Sequence, residues 1–251
     1  MALEKGRVCV TGSGGYLASW VVKLLPSNDY FVHGTVREPR DEKNAHLYKL
    51  KKASENLKLF KAELLDYHSI SSAIIGCNGV FHVDSPVPST IGPNPEVEVV
   101  EPAVKGTLNV LKACNEAEVK RVVVVSSRAA VVFNHRWPKG QVKDETCWSD
   151  KEYCRTAMKW YALSKTEAET ILINFLKEGY KSVENKLWLT VDMRDVAKAL
   201  LFYNYPKSLT EEGEQTMVSS EKLQRLGWCY RPLEETLIDS LECYRKVGIL
   251  N

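Results

Sequence analysis

The chain has 251 residues, 44% of them hydrophobic, enough to bury a substantial core in one domain with a small appendage. Lysines and arginines are scattered among acids and the formal net charge is +2, so no nucleic-acid-binding patch is implied. Seven cysteines without a Cys-x-x-Cys pair suit a reducing compartment better than a disulfide framework or a zinc site, and no apolar run approaches the roughly 18 residues of a membrane span. With an N-terminus that lacks an apolar signal core, these features lead us to expect a soluble cytoplasmic protein that holds no metal and meets neither nucleic acid nor membrane.

The stretch 7–18 organises the rest. Arg7-Val8-Cys9-Val10-Thr11 is a short run of β-branched character, Gly12-Ser13-Gly14-Gly15 is a glycine-rich turn, and Leu17, Trp20, Val21, Leu24 and Leu25 recur at helical spacing. Strand, turn and helix in this order let backbone N–H groups at a helix N-terminus face a pyrophosphate, and Ala18 stands where a third small residue lets helix pack on strand. The same glycines also suit a turn that merely joins strand to helix.

The pattern then alternates. Strands are expected over 30–36, 57–61, 79–84 and 121–126, and helices over 41–52, 67–75 and 97–117. Val122-Val123-Val124-Val125 is apolar on both faces, which calls for helices on both sides of a parallel sheet. The fold class is therefore α/β, a Rossmann-type doubly wound parallel sheet with ligand across the carboxyl ends of its strands. A long helix over 154–177 follows, then helices over 191–203 and 232–246 separated by polar, poorly periodic sequence at 203–215. We divide the chain into a dinucleotide-binding domain over 1–170 and a reduced substrate lobe over 171–251.

Where the second strand ends, a fold that takes NAD usually offers an acid to the ribose hydroxyls, and one that takes NADP offers a cation to the 2′-phosphate. Here Thr35-Val36-Arg37 is followed by Arg40 and Lys43, which favours NADP(H); the other reading of Arg37 is a solvated loop charge. A tyrosine one helical turn before a lysine puts the ammonium on the phenol's face, where it eases proton exchange with a carbonyl or alcohol. The chain has three such pairs, Tyr48/Lys52, Tyr161/Lys165 and Tyr203/Lys207, and only Tyr161/Lys165 lies in the helix that follows the fifth strand. Ser127, at the end of that strand, could hold the substrate oxygen or could simply cap a turn.

At these residues the chain resembles the plant cinnamoyl-CoA reductase and dihydroflavonol 4-reductase group of extended short-chain dehydrogenases. The resemblance rests on Val8-Cys9-Val10-Thr11-Gly12, Gly15-Tyr16-Leu17-Ala18-Ser19-Trp20, Thr35-Val36-Arg37, Gly79-Val80-Phe81-His82, Asp144-Glu145-Thr146-Cys147-Trp148-Ser149-Asp150 and Leu163-Ser164-Lys165. It resumes at Glu184-Asn185-Lys186-Leu187-Trp188 and again from Ser219. It implies an NADPH-dependent reductase of an aldehyde, ketone or CoA-thioester carbonyl in a small phenolic substrate. Carried over by position, it implies Ser127, Tyr161 and Lys165 as the catalytic set, with Tyr161 and Lys165 also touching the cofactor. Gly12, Ser13, Gly14, Gly15, Tyr16 and Leu17 would hold the pyrophosphate, Arg37 and Lys43 the 2′-phosphate, Glu63 and Leu64 the adenine, and Val83, Asp84 and Ser85 the cofactor's middle.

The departures are specific. Glu63 replaces the group's usual aspartate, and Asp84 stands where alanine is usual. A carboxylate there should weaken cofactor binding unless it turns to solvent or meets a cation, for which Arg128 is the candidate considered, the alternative being that Arg128 blocks the site. The run Lys159-Trp160-Tyr161-Ala162-Leu163-Ser164-Lys165 differs from that of the true cinnamoyl-CoA reductases, so a reductase-like relative is the better match. Segments expected after Glu169 and after Tyr203 are absent, and these would complete the nicotinamide cover and the substrate pocket. Two expectations follow: a reductase with a reduced substrate lobe, or a shortened inactive relative that keeps only cofactor binding or protein association.

Overall fold

In the computed structural model the described residues are 6–87, 92–143 and 146–177. The first strand, β1 (Arg7–Val10), alternates as a pleat must: Val8 and Val10 turn to one face and Cys9 to the other. Helix α1 (Tyr16–Ser27) covers the first face, where Ala18 and Val22 pack with Val8, Val10, Val32 and Leu47. Strand β2 (Phe31–Val36) and β3 (Leu57–Lys61) extend the sheet on one side of β1, and β4 (Gly79–His82) and β5 (Arg121–Val124) on the other. All pairings are parallel and the order is β3-β2-β1-β4-β5, so the Rossmann-type sheet expected from the alternating pattern is present. The order reverses between β1 and β4. Ligands of such sheets lie in the crevice at that point, outside the carboxyl ends.

The second face is covered by α4 (Tyr67–Ile74) and α5 (Glu101–Glu116), whose Ile70, Ile74, Val110 and Cys114 pack on Cys9 and Val80. Asp66 caps α4 by accepting from the N–H groups of His68 and Ser69, which fixes where that helix starts. A single π turn (Glu96–Val100) precedes α5 where continuous α-helix was expected. All five cysteines among the described residues are buried free thiols.

Two expected helices are broken. Over 41–52 the chain forms a 3₁₀ turn (Glu42–Asn44) capped by Asp41, then α2 (Ala45–Tyr48) and a turn that puts Lys52 in the left-handed region at φ 62°, before α3 (Ala53–Asn56). The helix expected over 154–177 is two helices, α7 (Lys151–Thr156) and α8 (Trp160–Lys177). The Lys159 N–H closes back on the Cys154 carbonyl and Met158 takes φ 53°, so the first helix ends in a left-handed turn that periodicity does not reveal. The short α6 (Ala129–Val132) lies between β5 and α7.

Helix α8 packs on α5 and β5 through Leu172 and Phe175 against Leu108, Leu111, Val122 and Val124. Among the described residues that covers one face of β5, whose three valines are half-buried. The helices expected over 191–203 and 232–246, the polar stretch 203–215 and most of the 171–251 lobe lie outside the described residues. No helix among the described residues is long and apolar enough to cross a membrane, and no group of them could hold a metal ion.

Candidate active site

The glycine turn is pinned from below. The Ser13 N–H donates to the Thr35 carbonyl at 2.8 Å and its Oγ to the Val10 carbonyl at 2.9 Å, so this buried serine is spent on holding the turn rather than exposed to a phosphate. The Gly12 N–H donates to Thr35 Oγ1 at 3.0 Å, and the Gly15 N–H closes onto the Gly12 carbonyl at 2.8 Å. Gly12 adopts φ 64°, a conformation that favours glycine. At Gly14 a Cβ would lie 2.3 Å from Asn44 Oδ1, a buried acceptor with no hydrogen-bond partner, so only glycine fits there. Helix α1 starts at Gly15 without a side-chain cap. A glycine turn that leads into a helix N-terminus without a side-chain cap suits the diphosphate of a dinucleotide.

One buried hydroxyl ties this turn to the next strand. Thr11 Oγ1 accepts from the N–H groups of both Val83 and Asp84 at 3.0 Å, which uses its two lone pairs. Its proton therefore goes to His82 Nδ1 at 3.0 Å, and the opposite ring nitrogen, Nε2, donates to Thr107 Oγ1 on α5 at 3.2 Å. Burial, together with the Lys165 ammonium, drives the His82 pKa down to about 3, so the imidazole is neutral. Neither Thr11, His82 nor Thr107 stood among the candidate site residues. A threonine before a glycine turn and a histidine in a buried strand are the only signals, and neither points to its partner.

The catalytic candidates meet where β5 ends. The Val125 N–H donates to the His82 carbonyl at 2.9 Å, and the Val125 carbonyl accepts from Lys165 Nζ at 3.2 Å. Lys165 is buried, and its ammonium lies 5.8 Å from the centre of the Tyr161 ring, one turn earlier on α8. Ser127 follows two residues after Val125. Its Oγ accepts from the Ala129 N–H at 3.2 Å, a capping role that leaves the hydroxyl proton available to another acceptor. Ala129 and Phe133 of the α6 region pack with Ala162 and Leu163 of α8, which sets Ser127 and Tyr161 on neighbouring packed elements. Ser149 holds α6 in place by donating to the Ala129 carbonyl and accepting from the Phe133 N–H. One turn beyond Lys165, Glu169 is buried with both carboxylate oxygens unpartnered; burial pushes its pKa up to about 7, with the Lys165 charge opposing.

The remaining candidates divide. Val83, Asp84 and Ser85 follow β4 beside the turn, and Asp84 does not turn to solvent: it is half-buried and so close that a Cβ on Gly12 would lie 2.9 Å from its Cγ. Burial raises its pKa, and the cations that oppose this are Arg37 and Lys165, not Arg128. Arg37 is exposed at the end of β2. Lys43 is exposed as well and pairs with Asp41 at 2.7 Å. Leu64 is half-buried against Gly106, whereas Glu63 is exposed and its N–H donates to Ser69 Oγ. Tyr16 is exposed at the start of α1 and Leu17 half-buried. Tyr48 is exposed on its helix; Tyr203 and Lys207 lie outside the described residues.

A parallel sheet with the 3-2-1-4-5 order, a glycine turn at its switch point and a tyrosine–lysine pair beside the last strand define a dinucleotide-binding protein of the short-chain dehydrogenase and reductase class. The chain belongs to the NAD dependent epimerase/dehydratase family, which it matches over residues 8–184. It is 41% identical over 237 residues to cinnamoyl-CoA reductase 1 of Petunia hybrida, covering 80% of this chain and 70% of that protein. It is 48% identical over 181 residues to tetraketide alpha-pyrone reductase 1 of Arabidopsis thaliana, covering 71% of this chain and 55% of the relative. The chain spans about half the length of several such relatives. Among solved structures, vestitone reductase from alfalfa superposes with a TM-score of 0.76 at 28% identity, covering 98% of this chain and all of that one.

Two buried groups give opposite pH responses. His82 has a folded pKa of about 3, below its ordinary value of 6.5, so its contribution to stability is complete above pH 6.5 and declines as pH falls, by about 1.4 kcal/mol per unit. Denaturant titrations at falling pH should show this slope in the parent and a shallower one in His82→Gln. The pKa of Glu169 is raised to about 7 from 4.5, so its cost grows as pH climbs between those values. Glu169→Gln should therefore be the more stable protein at about pH 8, by up to about 3 kcal/mol, with little difference near pH 4.

Proposed function

We propose that this chain is an NADPH-dependent reductase that converts an aldehyde, ketone or CoA-thioester carbonyl of a small phenylpropanoid or flavonoid-type molecule. The observation that carries the reading is the Lys165 ammonium, held by the Val125 carbonyl at 3.2 Å and set 5.8 Å from the Tyr161 ring centre beside the strand end that bears Ser127. The names of the relatives, reductases of cinnamoyl-CoA, tetraketide alpha-pyrones and vestitone, support the substrate class.

In this reading the cofactor, when bound, supplies hydride to the carbonyl carbon. The protein does the rest. The Ser127 hydroxyl donates to the substrate oxygen, and the Tyr161 hydroxyl gives that oxygen its proton as negative charge develops there. The Lys165 ammonium lowers the cost of the phenolate left behind. The N-terminus of α1 and the glycine turn hold the diphosphate, the inward hydrogen bonds of Gly12, Ser13 and Gly15 shaping the turn that Gly14, Tyr16 and Leu17 complete, with Arg37 and Lys43 toward the 2′-phosphate and Glu63, Leu64, Val83 and Ser85 along the cofactor. We place the protein in the cytoplasm, in keeping with its buried free thiols.

Initial rates of NADPH consumption by the full chain test this, against a panel of hydroxycinnamaldehydes, their CoA thioesters and dihydroflavonols. At least one class should be turned over, and Tyr161→Phe should lower kcat by about a hundredfold or more while cofactor affinity changes little. Turnover undiminished in Tyr161→Phe would overturn the assignment. Cofactor binding without turnover of any class would favour the inactive relative.

A further inference from the structure

The carboxyl of Asp84 has no evident place in a phosphate-binding turn. Its backbone N–H is fixed by Thr11 Oγ1 at 3.0 Å, and its side chain lies against Gly12, where an added Cβ would come within 2.9 Å of Asp84 Cβ and Cγ and 3.1 Å of Oδ1. It is thus built into the crevice between the ends of β1 and β4, at the point where the order of the sheet reverses. The groups that face it can be named element by element. From the turn after β1 come the Thr11 hydroxyl and the Gly12 backbone, from the end of β2 the Arg37 guanidinium, from α8 the Lys165 ammonium, and from its own segment the Ser85 N–H.

Resting on the reading of the turn as a dinucleotide site, we propose that Asp84 takes up one proton when the cofactor's diphosphate binds, so that this chain holds its cofactor more weakly as the pH rises. Two effects act in the same direction. The arriving phosphates are like charges on the same turn, and a like charge within about 4–6 Å disfavours an ionised carboxylate. The cations that favour the ionised form of Asp84 are Arg37 and Lys165, and the proposed function gives both of these side chains to the cofactor. In the free protein burial already pushes Asp84 toward its neutral form. Once protonated, the carboxyl donates a hydrogen bond to a phosphate oxygen instead of repelling it.

The test is calorimetric titration of the full chain with NADP⁺, which unlike the reduced form survives acid, between about pH 6 and 9 in two buffers of different ionisation enthalpy. Asp84→Asn and Asp84→Ala are titrated in parallel, with melting curves to confirm folding. Over part of the range the parent should lose up to about tenfold in affinity per pH unit relative to both variants, with uptake of close to one extra proton. At the alkaline end both variants should bind at least about tenfold tighter than the parent. Titration of the 2′-phosphate is common to all three proteins and cancels. An identical pH slope and proton count in parent and variants would overturn the proposal, even if the variants bound more tightly at every pH. If none of the folded proteins bound NADP⁺ at any pH, the dinucleotide reading itself would fall, and the proton coupling with it.

Discussion

The hydroxyl of Thr11 is the point on which the site depends. It closes the crevice between β1 and β4 by accepting two backbone N–H groups from the stretch after β4 and giving its proton to His82. From there the order passes along the sheet: the His82 carbonyl holds Val125, and the Val125 carbonyl holds Lys165. The glycine turn and helix α8 are thus set against each other by a short series of hydrogen bonds in a buried environment. Each of these would be costly to leave unmade. A neutral His82 is part of the arrangement, because an imidazolium could not accept the threonine's proton and would face the Lys165 charge.

Much of the fold was legible because it depends on local pattern. The β-branched runs at Val8 to Val10 and Val122 to Val124, the alternation of Val8, Cys9 and Val10 between two faces, and the helical spacing of α1 need no distant partner to be read. The breaks were not legible. Met158 adopts φ 53° and ends α7 within a stretch whose periodicity is uninterrupted, and Lys52 does the same between α2 and α3. A residue other than glycine in the left-handed region carries no compositional signal.

The site follows the same division. Glycines, the tyrosine–lysine spacing and Ser127 are visible as types at intervals, whereas their supports are set by contacts across the fold. Thr11 and His82 are 71 residues apart, and Thr107 adds another element. The family resemblance gives Ser13 to the phosphate, yet both its N–H and its hydroxyl are spent inward. Asn44 could not be foreseen as the reason for glycine at 14, nor Arg37 and Lys165 as the cations that act on Asp84. Asp84 itself was visible as a departure from the family pattern; its burial against Gly12 was not.

The central claim is that this chain carries a working NADP(H) site. Its most direct measurement is an equilibrium titration of monodisperse protein with NADPH and with NADH, followed by the fluorescence of its six tryptophans and of the nicotinamide. The account predicts saturable binding of NADPH, tighter than that of NADH, with the preference lost in Arg37→Ala while NADH binding is retained. A folded sample that bound neither cofactor, or that bound NADH as tightly as NADPH, would contradict it.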